Sequence, residues 1–171
     1  VAYDGWLKSS PFASVIMASC RYLNWLLGFA VVALTWSAVL LALPVFVYVL
    51  ALTLLSRVET SASDRRAVLV SATVMSALAL LLVAFILAGL LPNPWALPLV
   101  AAGLCLVLHR MWLTWRAFTP SNIQGTVGLL VMGVIPLDAL MLLAAGLPWG
   151  SLLVIALLLP GRLLSRWLYV T

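Results

Sequence analysis

The sequence predicts an all-α polytopic transmembrane bundle of about six spans, and three observations carry that expectation. Hydrophobic residues make up 66% of the 171 residues and charged residues only 8%, against about 25% charged in a soluble domain. Apolar runs long enough to cross a bilayer as helix, about 18 residues or more, recur along the chain. The charges gather in the short connections between these runs. A β-barrel strand alternates apolar and polar residues, and "VLLALPVFVYVLALTLL" does not.

A single transmembrane domain is expected over 1–171, with a polar segment at 1–10. The spans are placed at about 11–34, 36–56, 66–90, 95–118, 122–145 and 149–168. Pro11, Pro94 and Pro148 suit helix starts, where a missing N–H costs nothing. Pro44, Pro98, Pro136 and Pro160 fall within spans and are expected to bend or locally unwind them. No cleavable signal peptide is visible, and a chain that opens with Val1 in a polar stretch is expected to be a fragment.

Orientation follows from the loops. The connections "ALTWS", "LLPNPW" and "AAGLPWG" carry no Lys or Arg. All nine basic residues fall towards the other side: Lys8, Arg21, Arg57, Arg65, Arg66, Arg110, Arg116, Arg162 and Arg166. The positive-inside rule then puts both termini and the 2–3 and 4–5 loops in the cytoplasm. Trp6, Trp36, Trp95, Trp112, Trp115, Trp149 and Trp167 lie near span ends, as an aromatic belt requires. The net charge of +5 is then a matter of topology and anionic lipid headgroups, not of nucleic acid.

Some polar residues do not fit topology alone. Arg21 falls inside the first span, with Asn24 on the same face. Together they suggest either a polar cavity open to the cytoplasm or hydrogen bonding between helices. His109 and Arg110 lie about two turns inside the basic end of the fourth span. Of Arg110 and Arg116, one could line a cavity while the other meets lipid phosphates. Asp138, the only acid within a span, is either functional or a cap for backbone freed by Pro136; it is expected to lie far from the basic cluster. Cys20 and Cys105 are expected to be small buried apolar residues. With one His and two Cys, a zinc site lacks ligands, and His109 alone gives no confident haem or chlorophyll site.

"YDGWLK", "CRYLNWLLG", "YVLALTLLSRVE" and "WRAFTPSNIQGTVGLLVMGVIPLDA" follow one another at membrane-compatible spacing. This ordered set resembles the C-terminal half of the UbiA superfamily of intramembrane prenyltransferases, closest to a bacterial UbiA-like branch encoded in ebo gene clusters. The resemblance implies a helical bundle around a cavity open to the cytoplasm and the bilayer. It implies transfer of a prenyl chain from its diphosphate, with Mg²⁺ held by two Asp-rich loops. Arg57 and Glu59 stand at the family's second Asp-rich motif, which is degenerate here: Glu59 and Asp64 are the only acids in "LSRVETSASDRR". Both would be weak metal ligands, so Mg²⁺ is expected to be weakly held or absent. By the same resemblance Tyr3 and Lys8 would contact diphosphate or acceptor, Arg21 and Asn24 would line the cavity, and the setting would be a bacterial inner membrane. Arg110, from its place inside the fourth span, is taken with these and Arg57 as a candidate for binding the diphosphate. The family's first motif, of NDxxDxxxD type, has no counterpart in this sequence.

Three functions remain open. One is a fragment or half of a prenyltransferase-like protein that binds a prenyl diphosphate or a prenylated lipid or quinone. A second is a non-catalytic structural or lipid- or quinone-binding subunit of a membrane complex. The third is a transport component for a prenylated small molecule. Partners expected from these are the bilayer, the prenylated ligand, and either a missing N-terminal half or a larger complex. The chain alone is expected to be inactive in prenyl transfer.

Overall fold

The computed structural model describes residues 12–31, 33–59 and 64–158. Among these the protein is helical throughout, with α1 at Ala13–Ala30, α2 at Trp36–Leu41, α3 at Leu43–Ser56 and α4 at Arg66–Leu87. A short 3-10 turn at Pro94–Ala96 leads into α5 at Leu97–Arg116. Then come α6 at Pro120–Ala144 and α7 at Pro148–Ala156. Four of the described helices are long and apolar enough to cross a membrane: Trp36–Ser56, Arg66–Leu87, Pro94–Arg116 and Pro120–Ala144. The expected first span is the 18-residue α1, which carries Arg21 and Asn24 and is not one of these four. The expected sixth span begins as α7, and its remainder lies outside the described residues.

Proline sets the irregularities. Pro44 cannot donate a backbone hydrogen bond, and the second span breaks into α2 and α3 at Ala42, two residues before it. Pro98 sits in the first turn of α5, where it is tolerated. Pro136 lies inside α6, which continues through it as helix. α4 stops at Leu87 rather than Leu90 because Gly89 turns left-handed at φ +76°. The Leu90 and Leu91 amides then return to the Phe85 carbonyl, which closes the helix end.

The bundle has two distinct ends. At the basic end lie Arg57, Arg65, Arg66 and Arg116. At the uncharged end Trp36, Trp95 and Trp149 stand 86%, 79% and 79% exposed at the starts of their elements. Amphipathic indole rings exposed at one level are what a membrane–water interface selects.

α3 is the centre of the bundle and packs on α1, α4 and α6. Its close approach to α4 uses small residues: the Ser71 hydroxyl donates to the Ala51 carbonyl at 2.8 Å, and both residues are buried. α1 docks on α3 through Ala18, fully buried, and on α2 through the Tyr22 hydroxyl, which donates to the Val39 carbonyl at 3.1 Å. On the α6 side the buried Tyr48 hydroxyl donates to the Leu130 carbonyl at 2.7 Å. Gly133 makes this contact possible, because a Cβ there would collide with the Tyr48 hydroxyl. Across the uncharged end, Asn93 donates to the Leu143 carbonyl at 2.9 Å and accepts from the Trp95 amide at 3.1 Å. One side chain thereby ties the α4–α5 connection to the end of α6.

Candidate ligand-binding cavity

The packing of α4, α5, α6 and α7 leaves a cavity of about 900 Å³ between them. Its walls are apolar: Met75, Leu78 and Leu82 from α4, Val100 and Val107 from α5, Leu137 and Leu140 from α6, and Ile155 from α7. Small residues make the room. Gly103 and Gly128 line the cavity, and a Cβ at either would meet nothing within 4 Å. Leu99, Leu106 and Met132 also line it and are exposed on the bundle's surface, so the cavity opens sideways between helices. The hydroxyls of Tyr48 and Ser151 are its polar groups among these linings, and that of Tyr48 is held by the Leu130 carbonyl. A volume of this size lies in the range of small-molecule sites, about 300–1,000 Å³.

A cation lies one turn beyond the basic end of this cavity. Val107 and Gly128 are lining residues; Arg110 and Gly125 lie one turn further towards the basic end on the same two helices. The half-buried Arg110 guanidinium rests on Gly125, where an added Cβ would sit 2.7 Å from Nη2. Beyond it the buried Thr114 and Thr126 hydroxyls meet at 2.6 Å. One hydroxyl donates its single proton to the other, which keeps its own proton for a carbonyl one turn back in its helix: Arg110 for Thr114 at 3.0 Å, or Asn122 for Thr126 at 2.9 Å. This pair fixes the spacing of α5 and α6 under the arginine. Arg116 instead lies over the Trp112 ring, 4.0 Å from its centroid, at the surface. His109 is exposed beside the same ring, at 6.2 Å.

The other expected site residues are not gathered here. Tyr3 and Lys8 lie outside the described residues. Arg21 and Asn24 share a face, as helical spacing requires, but that face is exposed on the outside of α1 and takes no part in the cavity. The reason is that α1 packs mainly on α3, whereas the small residues that open the cavity belong to α5 and α6. Asp138 lies late in α6, away from the arginines of the basic end, and Arg21 of α1 is the cation that acts on it. Its Oδ1 is buried without a hydrogen-bond partner. Cys20 and Cys105 are exposed rather than buried, since an apolar thiol is as well placed against lipid as in a core.

In the α3–α4 connection, Arg57 is exposed and Glu59 half-buried, its amide bonded to the Ser56 carbonyl at 3.2 Å. Asp64 Oδ1 accepts from the Arg66 amide at 2.8 Å and serves the start of α4. Arg65 lies over Phe118 at 5.8 Å. Among the described residues no group of three or more His, Cys, Asp or Glu could hold a metal ion.

No family model, curated protein or solved structure matches this chain. What the fold and cavity define is a class: a helical membrane bundle with a side-opening apolar cavity and a cation at its basic end.

Proposed function

We propose that the protein binds a prenyl-tailed amphiphile with an anionic head, its tail in the cavity between α4 and α7 and its head at Arg110. The observation that carries this is the pairing of the apolar cavity with the Arg110 guanidinium over Gly125. A bilayer is itself apolar, so moving a tail from lipid into the cavity brings little hydrophobic gain. Selection of the tail then rests on shape, and the glycine-lined gaps admit methyl branches. Affinity rests on the head. A diphosphate held by a guanidinium makes charge-assisted hydrogen bonds, stronger where water is scarce.

Binding is favoured over transfer chemistry by the carboxylates. Among the described residues Glu59 and Asp64 lie in the α3–α4 connection and Asp138 lies late in α6, and none of the three is paired with Arg110. On this reading the protein is a binding half or subunit related in fold to prenyltransferases, set in a bacterial inner membrane with its basic end cytoplasmic.

The test is photolabelling of the purified chain in detergent with a benzophenone-bearing farnesyl diphosphate. Adducts are expected on cavity-lining segments of α5 and α6. Arg110→Gln should weaken labelling about ten-fold, the worth of one charge-assisted hydrogen bond, and Gly128→Phe should block it by filling the cavity. Labelling confined to α1, or unchanged in both variants, refutes the proposal.

A further inference from the structure

α1 carries a polar face that nothing among the described residues covers. Cys20, Asn24 and Gly28 follow one another at intervals of four and are all exposed, and Arg21 is exposed beside them. Neither Arg21 nor Asn24 makes a side-chain hydrogen bond or an ion pair among the described residues. A Cβ at Gly28 would meet nothing within 4 Å.

The depth of this face is fixed by its neighbours. Tyr22 reaches the Val39 carbonyl and stacks edge-on against Phe46, ring centroids 6.2 Å apart. Both partners belong to the half of Trp36–Ser56 away from the basic end. Arg21 therefore sits deep in the bundle's apolar zone. The basic-end surface at Ser56 is about ten residues of helix from Phe46, roughly 15 Å, beyond the reach of an arginine side chain. Asp138 of α6 is near enough to act on Arg21, but no salt bridge joins the two among the described residues, and Asp138 Oδ1 is buried without a hydrogen-bond partner.

We propose that this face of α1 is a docking surface for a transmembrane helix of another subunit, and that the docking helix presents an Asp or Glu carboxylate at the depth of Arg21. Charge complementarity selects that occupant. A guanidinium on an apolar outer face needs an anion at the same depth, and an amide such as Asn24 adds a hydrogen bond across a helix pair. Row-wise small residues, Cys20 and Gly28, let a second backbone approach closely. A second copy of this chain is the wrong occupant, because symmetric packing of α1 on α1 sets Arg21 against Arg21.

The two native cysteines provide the test. Cys20 lies on the proposed surface and Cys105 on the outer side of α5, and both are exposed in this chain. Native membranes containing the full-length protein are treated with pyrene maleimide, which partitions into the bilayer. Cys20 is expected to label at least about ten-fold more slowly than Cys105, as burial in a close-packed interface requires, and at a comparable rate once the chain is purified in detergent. Arg21→Glu should remove the protection and Arg21→Lys should keep it. A photo-crosslinker at position 24 should then join a transmembrane peptide bearing an acid, and changing that acid to Arg should restore protection to Arg21→Glu. Equal labelling of the two cysteines in native membranes overturns the proposal. So does protection that survives Arg21→Glu, or cross-linking only to lipid, to this chain itself or to a second copy.

Discussion

Gly133→Ala tests how α3 and α6 are held together. The added methyl would collide with the Tyr48 hydroxyl, which is buried and donates to the Leu130 carbonyl at 2.7 Å. The tyrosine, 5% exposed, can move aside only by giving up its bond to the Leu130 carbonyl. Overpacking of this kind costs about 1–3 kcal/mol. Replacing Gly by Ala inside a helix contributes about 1 kcal/mol in the other direction, so the net change is a loss of about 0–2 kcal/mol. Tyr48→Phe alone removes one hydrogen bond, worth about 0.5–1.5 kcal/mol, and belongs at the low end because the Leu130 carbonyl keeps its place in the α6 ladder. The decisive variant carries both changes. Without the hydroxyl the methyl has room, and Gly133→Ala should become neutral or stabilising by up to about 1 kcal/mol through helix propensity. Reversible unfolding in mixed detergent micelles, followed by helical circular dichroism, measures all four corners of this cycle. If Gly133→Ala is as destabilising when combined with Tyr48→Phe as it is in the wild type, the hydroxyl is not what requires glycine, and the account of this contact is wrong.

Asn93→Ala should destabilise the bundle by about 1–2 kcal/mol, since it removes both the bond to the Leu143 carbonyl and the turn-capping acceptor for Trp95; unfolding in the same micelles checks it, and an unchanged midpoint would refute it. The purified chain should form no prenylated product from radiolabelled prenyl diphosphate, Mg²⁺ and a panel of aromatic acceptors. Product well above a no-protein control, and lost in Glu59→Gln, would show a complete transferase. For orientation, a Ser61→Cys variant in sealed vesicles should react with impermeant maleimide only from the cytoplasmic side, and reaction from the opposite side would invert the proposed topology.

The helices were legible in the sequence because an apolar run of this length has one physical meaning, and because Pro44, Pro94 and Pro148 mark where helices break or begin. Helix ends were legible to within a few residues: Gly89 ends α4 early, and α6 starts at Pro120, two residues before its expected start, because Thr119 caps it by accepting from the Asn122 amide. The cavity was much less legible. In a soluble protein periodicity separates an inner face from an outer one, but in a bilayer both faces are apolar, so Met75 and Leu80 look alike in the sequence although one is 3% and the other 71% exposed. The glycines of α5 and α6 carried what signal there was. Gly103, Gly125, Gly128 and Gly133 mark places where a side chain is missing, but not whether the room is taken by Arg110, by Tyr48 or by a ligand.

Arg110 and Arg21 separate what sequence can and cannot assign to a buried charge. Both are arginines set inside apolar helices beside a small or polar residue, and by hydropathy they are equivalent. The difference lies in the partner helix. Arg110 faces α6 at Gly125, where a missing side chain gives its guanidinium a seat above an apolar cavity. Arg21 is exposed at the flank of α1, one turn after Ala18, which is buried against α3. The same side chain thus fits a ligand head in one place and a neighbouring subunit in the other. A charge-neutral replacement should distinguish them: Arg110→Gln should impair binding of the prenyl ligand and leave Cys20 protection intact, while Arg21→Gln should expose Cys20 and leave photolabelling of the cavity unchanged. If either substitution produces both effects, the two arginines serve one site, and the separation of ligand from partner fails.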